Sequence, residues 1–316
     1  MSIGIRRTVR REIEKALNYV GGEKPARCQD VSEADAIHEI RKRFKKVRAA
    51  LRLVRAELGD EVYREENWCF RDAARPLAQA RDAAILFETL EKIGLEFADQ
   101  VDKGDLAKVH DALCASHKFL IRRLLDDEQA FAAVKGVATR AIGRISEWKI
   151  DHDGWEALER GLRRVYRMGH KALALATESS SVVNLHEWRK QTKYLWHQLQ
   201  LLEAGWTGPE KDLSEQFHTL SRLLGEDHDL AVFRLTLAAD PLTYAGHRFL
   251  KNLFVLIDRK RLELERQAFI LGRQLYGEQP KIFTSRIGAY WTASAGKIKL
   301  EEKRIPSRPH SSSLRR

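Results

Sequence analysis

His38-Glu39-Ile40-Arg41-Lys42-Arg43-Phe44-Lys45-Lys46-Val47-Arg48 returns 148 positions later as His186-Glu187-Trp188-Arg189-Lys190-Gln191-Thr192-Lys193-Tyr194-Leu195-Trp196. Extended to residues 38–54 against 186–202, the pair shares seven identities over seventeen positions, the later ones being Leu51 with Leu199 and Leu53 with Leu201. Self-similarity at a fixed distance is the mark of a duplicated structural unit. The duplication continues downstream. Arg75 and Asp82 recur as Arg222 and Asp229, each displaced by 147, within the similar segments RPLAQARDAAILF and RLLGEDHDLAVFR. Two halves of about 150 residues with short insertions between blocks predict the same helix order in each, packed about a pseudo-two-fold axis.

Apolar residues recur at i, i+3, i+4 and i+7 along most of the chain, as in the run from Ile37 to Leu58, and strand-like alternation is scarce. The fold class read from this is all-α. Helices are predicted over 5–20, 33–58, 62–93, 104–126, 129–149, 155–178, 183–204, 210–236, 241–276 and 280–292. Breaks are expected at Gly21-Gly22, Gly94, Gly208-Pro209 and Pro280, and Ser179-Ser180-Ser181 supplies capping hydroxyls. The folded part spans 5–292, with a first half of about 5–150 and a second of about 155–292. Residues 297–316 are basic, carry Pro and Ser, and read as a disordered tail.

On a helical wheel, Arg41, Lys42, Lys45, Arg48 and Arg52 gather around His38, while Ile40, Phe44, Val47, Leu51 and Val54 occupy the opposite side. The second copy sets His186, Arg189, Lys190, Lys193 and His197 against Trp188, Leu195, Leu199 and Leu202. A basic helix face alone is usually solvated surface. Here eight Lys or Arg between His38 and Arg55 meet one acid, Glu39, so the stripe repels itself, and a partner anion would offset that. Arg75 and Arg222 read as further ligands. Asp82 and Asp229 read as supports that hold nearby Arg or His side chains. A metal role is disfavoured, because H-E-W-R-K lacks the H-E-x-x-H spacing and the neighbouring cations repel a divalent ion.

With 316 residues, 43% apolar and 32% charged, the chain is long enough for a substantial core and unlike a disordered segment. Its formal charge of +11 favours polyanionic partners. Three distant cysteines, Cys28, Cys69 and Cys114, suggest reduced thiols. The charged N-terminus and the lack of a long apolar run predict a cytoplasmic protein.

The two blocks H-E-I-R-K-R-F-K-K-V-R and H-E-W-R-K-Q-T-K-Y-L-W, followed by Arg81-Asp82 and His228-Asp229, resemble the CHAD family over about residues 5–292. The resemblance implies two four-helix-bundle halves around a basic central cavity that binds inorganic polyphosphate, often in association with polyphosphate granules. By motif, it assigns binding to His38, Arg41, Lys42, Lys45 and Arg48 and to His186, Arg189, Lys190 and Lys193. Trp196 at the position of Arg48, and His228 at that of Arg81, depart from the pattern and imply a second half that binds less tightly or in another register. No catalytic residue and no cofactor are expected. The rival readings are a nucleic-acid-binding helical protein, which fits the charge but lacks a recognisable reading motif, and a phosphohydrolase, which lacks a phosphate loop or a carboxylate cluster. Attachment to anionic membranes is weaker still, since the apolar faces are needed for the core.

Overall fold

A computed structural model describes residues 2–20, 33–126, 128–152, 154–202 and 209–304. Eleven helices and no strand occur among them. The first half holds α1 (Ser2–Leu17), α2 (Glu33–Leu53), α3 (Arg55–Ala73), α4 (Ala78–Glu96), α5 (Lys103–Asp126) and α6 (Glu128–Ile145). The second holds α7 (Glu156–Glu178), α8 (Val182–Leu202), α9 (Pro209–Ala239), α10 (His247–Leu275) and α11 (Pro280–Arg304).

Two predicted helices are each broken where the backbone demands it. The run 33–58 divides at Val54, whose ψ of 16° leaves the helical region, and α3 then kinks at Gly59, where φ is +76° and only a residue without Cβ sits without strain. The run 62–93 divides between Ala73 and Ala78, around Pro76, which has no N–H to donate and whose ring disfavours the helical conformation in the residue before it. At the other end, α11 continues through residues 297–304, which had been read as tail; 305–316 lie outside the described residues, as do Gly21, Gly22, Cys28 and Gly208. The expected serine cap is present, the Asn184 N–H donating to Ser181 Oγ at 3.2 Å. Cys69 and Cys114 are unbridged.

Hydrophobic patterning carries directly into packing. Ile40, Phe44, Val47, Leu51 and Val54 on α2, and Trp188, Leu195, Leu199 and Leu202 on α8, are all buried in one continuous core that runs from Val9 to Ile287. Helix α2 is central: it packs on α1, α3 and α4 in its own half and on α7 and α8 in the other. Helix α4 meets α9 across the same boundary. The two halves therefore share one apolar interior, with the duplicated helices at its centre.

Candidate functional site

The duplicated helices touch along their length. Gln198, fully buried on α8, donates its amide to the Ala49 carbonyl of α2 at 3.3 Å. The Arg52 guanidinium lies 3.8 Å from the centre of the Tyr194 ring, a cation–π contact across the same interface. Lys45 of α2 and Lys193 of α8 come near enough for their charges to act on one another. Burial holds the Lys45 ammonium down to about 7, followed by repulsion from Lys193, Arg41, Arg189 and Arg81. Lys193 falls to about 8, first through burial, then through Arg189 and Arg81, with Asp229 acting the other way. Among the described residues no hydrogen bond or ion pair reaches either Nζ.

The arginines of the repeated motif are held in a partly matching way. Arg41 donates to the Ala74 carbonyl at 3.0 Å, whereas Arg189 sits 4.0 Å from Asp229. The Nε atoms of both are buried and unpartnered. Asp82 acts on Arg41, and Asp229 on Arg189, in the sense that favours the cation. For both carboxyls burial outweighs the surrounding cations and keeps them above the usual range. Each aspartate thus lies near the motif arginine of its own half.

Glu39 and Glu187, one residue after each histidine, had not been assigned a role. Glu39 accepts from Lys42 at 2.8 Å and from Arg43 at 2.7 Å, and Glu187 accepts from Lys190 and from Gln191. The basic stripe is thus held in direct ion pairs at its edge, whereas Lys45 and Lys193 at its centre make none among the described residues and feel Asp82 and Asp229 only through space.

The histidines stand at the rim, exposed at the starts of their helices. Burial of the ring, then Arg81, lowers His38; burial, then Arg189, lowers His186. The His186 ring is 4.7 Å from that of His228, which burial and Arg189 hold down to about 4. His228 thus occupies the place of Arg81 in the repeat and turns toward a histidine.

Other predicted positions scatter. Arg48 donates to Asn67 at 3.0 Å, and Arg52 donates to the Arg48 carbonyl at 2.8 Å. Arg75 is exposed, hydrogen-bonded to Asp72, and lines a cleft of about 240 Å³ together with Arg41, Lys45 and Arg48. Arg222 is exposed and paired with Glu226 at 2.9 Å. His197 corrects the wheel reading: it is only 3% exposed, stacks against Trp196 at 4.6 Å, and is held near 3 by burial. It belongs to the interior, where the charges of Lys45 and Lys46 on α2 also act on it.

Arg81, which the sequence reading leaves without a binding role, acts on Lys45, Lys193, His38 and Asp229. The Arg81-Asp82 dipeptide was the available signal. Arg71 also lines the cleft.

The chemistry on offer is charge. Among the described residues no group of three or more His, Cys, Asp or Glu is placed to hold a metal ion, and no helix is long and apolar enough to cross a membrane. No curated protein matches the chain. A family model described as CHAD domain matches residues 11–238, roughly seven tenths of the sequence and the whole stretch from α2 through α8 that carries both histidine blocks. On that match, and on the paired cationic helices at the centre of its fold, the chain belongs to the CHAD domain family.

Proposed function

We propose that this protein binds inorganic polyphosphate without catalysis, in a basic cavity to which two pseudo-two-fold-related halves each contribute a helix face. The observation that carries the reading is the nearness of Lys45 and Lys193, one from each copy of the motif, both without a hydrogen-bond or ion-pair partner among the described residues, both repelled by Arg81 and Arg189, and Lys45 by Arg41 as well. Half-buried like charges destabilise a fold on their own. A polyanion laid between them converts that repulsion into attraction, Arg offering forked donors and Lys a point charge. Association with polyphosphate granules would follow from the same affinity.

Neutralising several phosphates releases condensed counterions, so affinity should fall steeply with salt, with a log–log slope of at least about −3 for four or more engaged cations. Long chains should bind more tightly than pyrophosphate because one molecule engages both halves at high effective concentration. A salt-resolved titration with polymers of several lengths checks both; equal affinity for pyrophosphate and a long chain would overturn the reading. Duplex DNA should compete poorly, since the cations are clustered and partly buried instead of spread over an open face. Incubation with polyphosphate and a divalent metal is expected to release no phosphate.

The pH dependence has a definite sign. A bound polyanion favours the ammonium forms, so binding takes up protons at groups held near 8 and near 7 in the free protein. Affinity should therefore strengthen as pH falls through about 8 and then about 7, level off below, and gain again only when His38 and His186 charge. The main window therefore lies above the ordinary histidine range. Titration calorimetry in two buffers of different ionisation heat measures the proton uptake directly; no uptake at neutral pH would contradict the assignment.

A further inference from the structure

The cleft of about 240 Å³ beside α2 is lined by four arginines and one lysine, Lys45. Its arginines are anchored: Arg41 to the Ala74 carbonyl, Arg48 to Asn67, and Arg71 and Arg75 to Asp72. Each guanidinium has five donors, so N–H groups remain on all of them. Phe44 and Phe70, packed edge to face at 5.1 Å, add an apolar wall. Lys45 lines this space, and among the described residues no hydrogen bond or ion pair reaches its Nζ, Asp82 acting on it only through space.

We propose that Lys45 is an acylation site for small acyl phosphates, whose phosphate docks on the arginines of the cleft while the acyl carbon meets the lysine amine. The cleft supplies what the reaction requires: cations for the dianionic phosphate, an apolar wall for the acyl group, and an uncommitted nucleophile. The lysine nitrogen attacks the carbonyl carbon with its lone pair and forms a C–N bond. The C–O bond to phosphate breaks, its electron pair leaves on the phosphate oxygen, and the proton lost from nitrogen is taken up by the departing phosphate. The products are an amide and hydrogen phosphate, so no further reactant is needed. The arginines that bind the phosphate also stabilise it as the leaving group.

Burial and the surrounding cations hold this amine near 7, which leaves about half of it neutral at neutral pH, against well under a hundredth for an ordinary exposed lysine. Acylation turns the cation into a neutral amide and fills the cleft. If the polyphosphate reading holds, the modified protein binds the polymer more weakly, and bound polymer shields Lys45.

The test is incubation of the full chain with acetyl phosphate at neutral pH, with the rate at each lysine read by peptide mass spectrometry. Lys45 is expected to acetylate at least about tenfold faster than the exposed Lys171 and Lys251. Inorganic phosphate should slow Lys45 and leave the exposed sites unaffected, and Arg75→Gln should reduce the preference. An uncharged acylating agent such as N-acetylimidazole should show a smaller preference. Acetylation of Lys45 at the rate of Lys251, or no protection by phosphate, would overturn the proposal. Because the assay contains no polyphosphate, the two readings separate. Selective acetylation in a protein that fails to bind the polymer would support the acylation site and sink the binding function. Tight polymer binding with Lys45 no more reactive than Lys251 would do the reverse.

Discussion

An Arg41→Ala/Lys45→Ala/Arg189→Ala/Lys193→Ala variant is expected to lose at least about a hundredfold in polyphosphate affinity. A charge-assisted hydrogen bond contributes about 1.5–3 kcal/mol, and four neighbouring contacts do not add fully, so a total of about 3–6 kcal/mol is the reasonable range. At about 1.4 kcal/mol per factor of ten, that corresponds to roughly two to four decades. Titration at one fixed salt concentration measures it, with circular dichroism confirming that the variant is folded. Unchanged binding by the folded variant would remove the proposed site.

A companion variant guards against a misleading loss of fold. Lys45→Met/Lys193→Met keeps the aliphatic volume and deletes two half-buried like charges, so the unliganded protein should become more stable while affinity falls. The sign with pH follows from the depressed values. Unfolded lysines keep their ordinary high value, so above about 7 the unfolded chain binds more protons at Lys45 than the folded one, and wild-type stability rises with pH. The destabilising charge is fully present below about 7, which is where the methionine variant should gain most. Loss of affinity together with loss of stability in acid would contradict the electrostatic account.

Gly161→Ala is expected to destabilise the protein by more than about 3 kcal/mol, the largest single-residue effect on the fold that the packing suggests. Gly161 sits on α7 where that helix crosses the end of α2, and an added Cβ would overlap the Leu53 carbonyl and lie 2.6 Å from the Arg52 carbonyl oxygen. Both are backbone atoms, so no side-chain rotation relieves the clash; α2 and α7 must separate. Thermal unfolding followed at 222 nm should show a midpoint lower by roughly 6–12 °C. Gly143→Ala on α6, where a Cβ meets nothing within 4 Å, should be neutral or slightly stabilising. A Gly161→Ala midpoint within about a degree of wild type would overturn the close-approach argument. Because α2 also carries Arg41, Lys45 and Arg48, the surviving folded fraction should bind polyphosphate less tightly.

The inner faces of the two repeated helices are legible in the sequence alone. The nine apolar positions assigned to the inner faces of the two repeated helices are all buried, because a helix that must cover one side in a shared core can do so only with a 3.6-residue hydrophobic period. Arg41, Lys45, Arg189 and Lys193 emerge from the same wheel, and the repeat itself pairs them.

What escaped that reading depends on what lies against each face. His197 shares a wheel sector with Lys193, yet it is buried, and a periodicity count assigns a residue to a side without saying whether another helix occupies it. Arg81 lies on α4, about forty residues from His38 in sequence, and joins the cluster only because α4 packs on α2. Gly161 looks like an ordinary helix glycine until α7 is laid across Leu53. Local periodicity and duplication are written in the chain as spacings, so they establish helices, inner faces and the candidate cations. Depressed lysines, shared carboxylates and a backbone crossing arise from distances between segments far apart in sequence, and those distances exist only once the helices have packed.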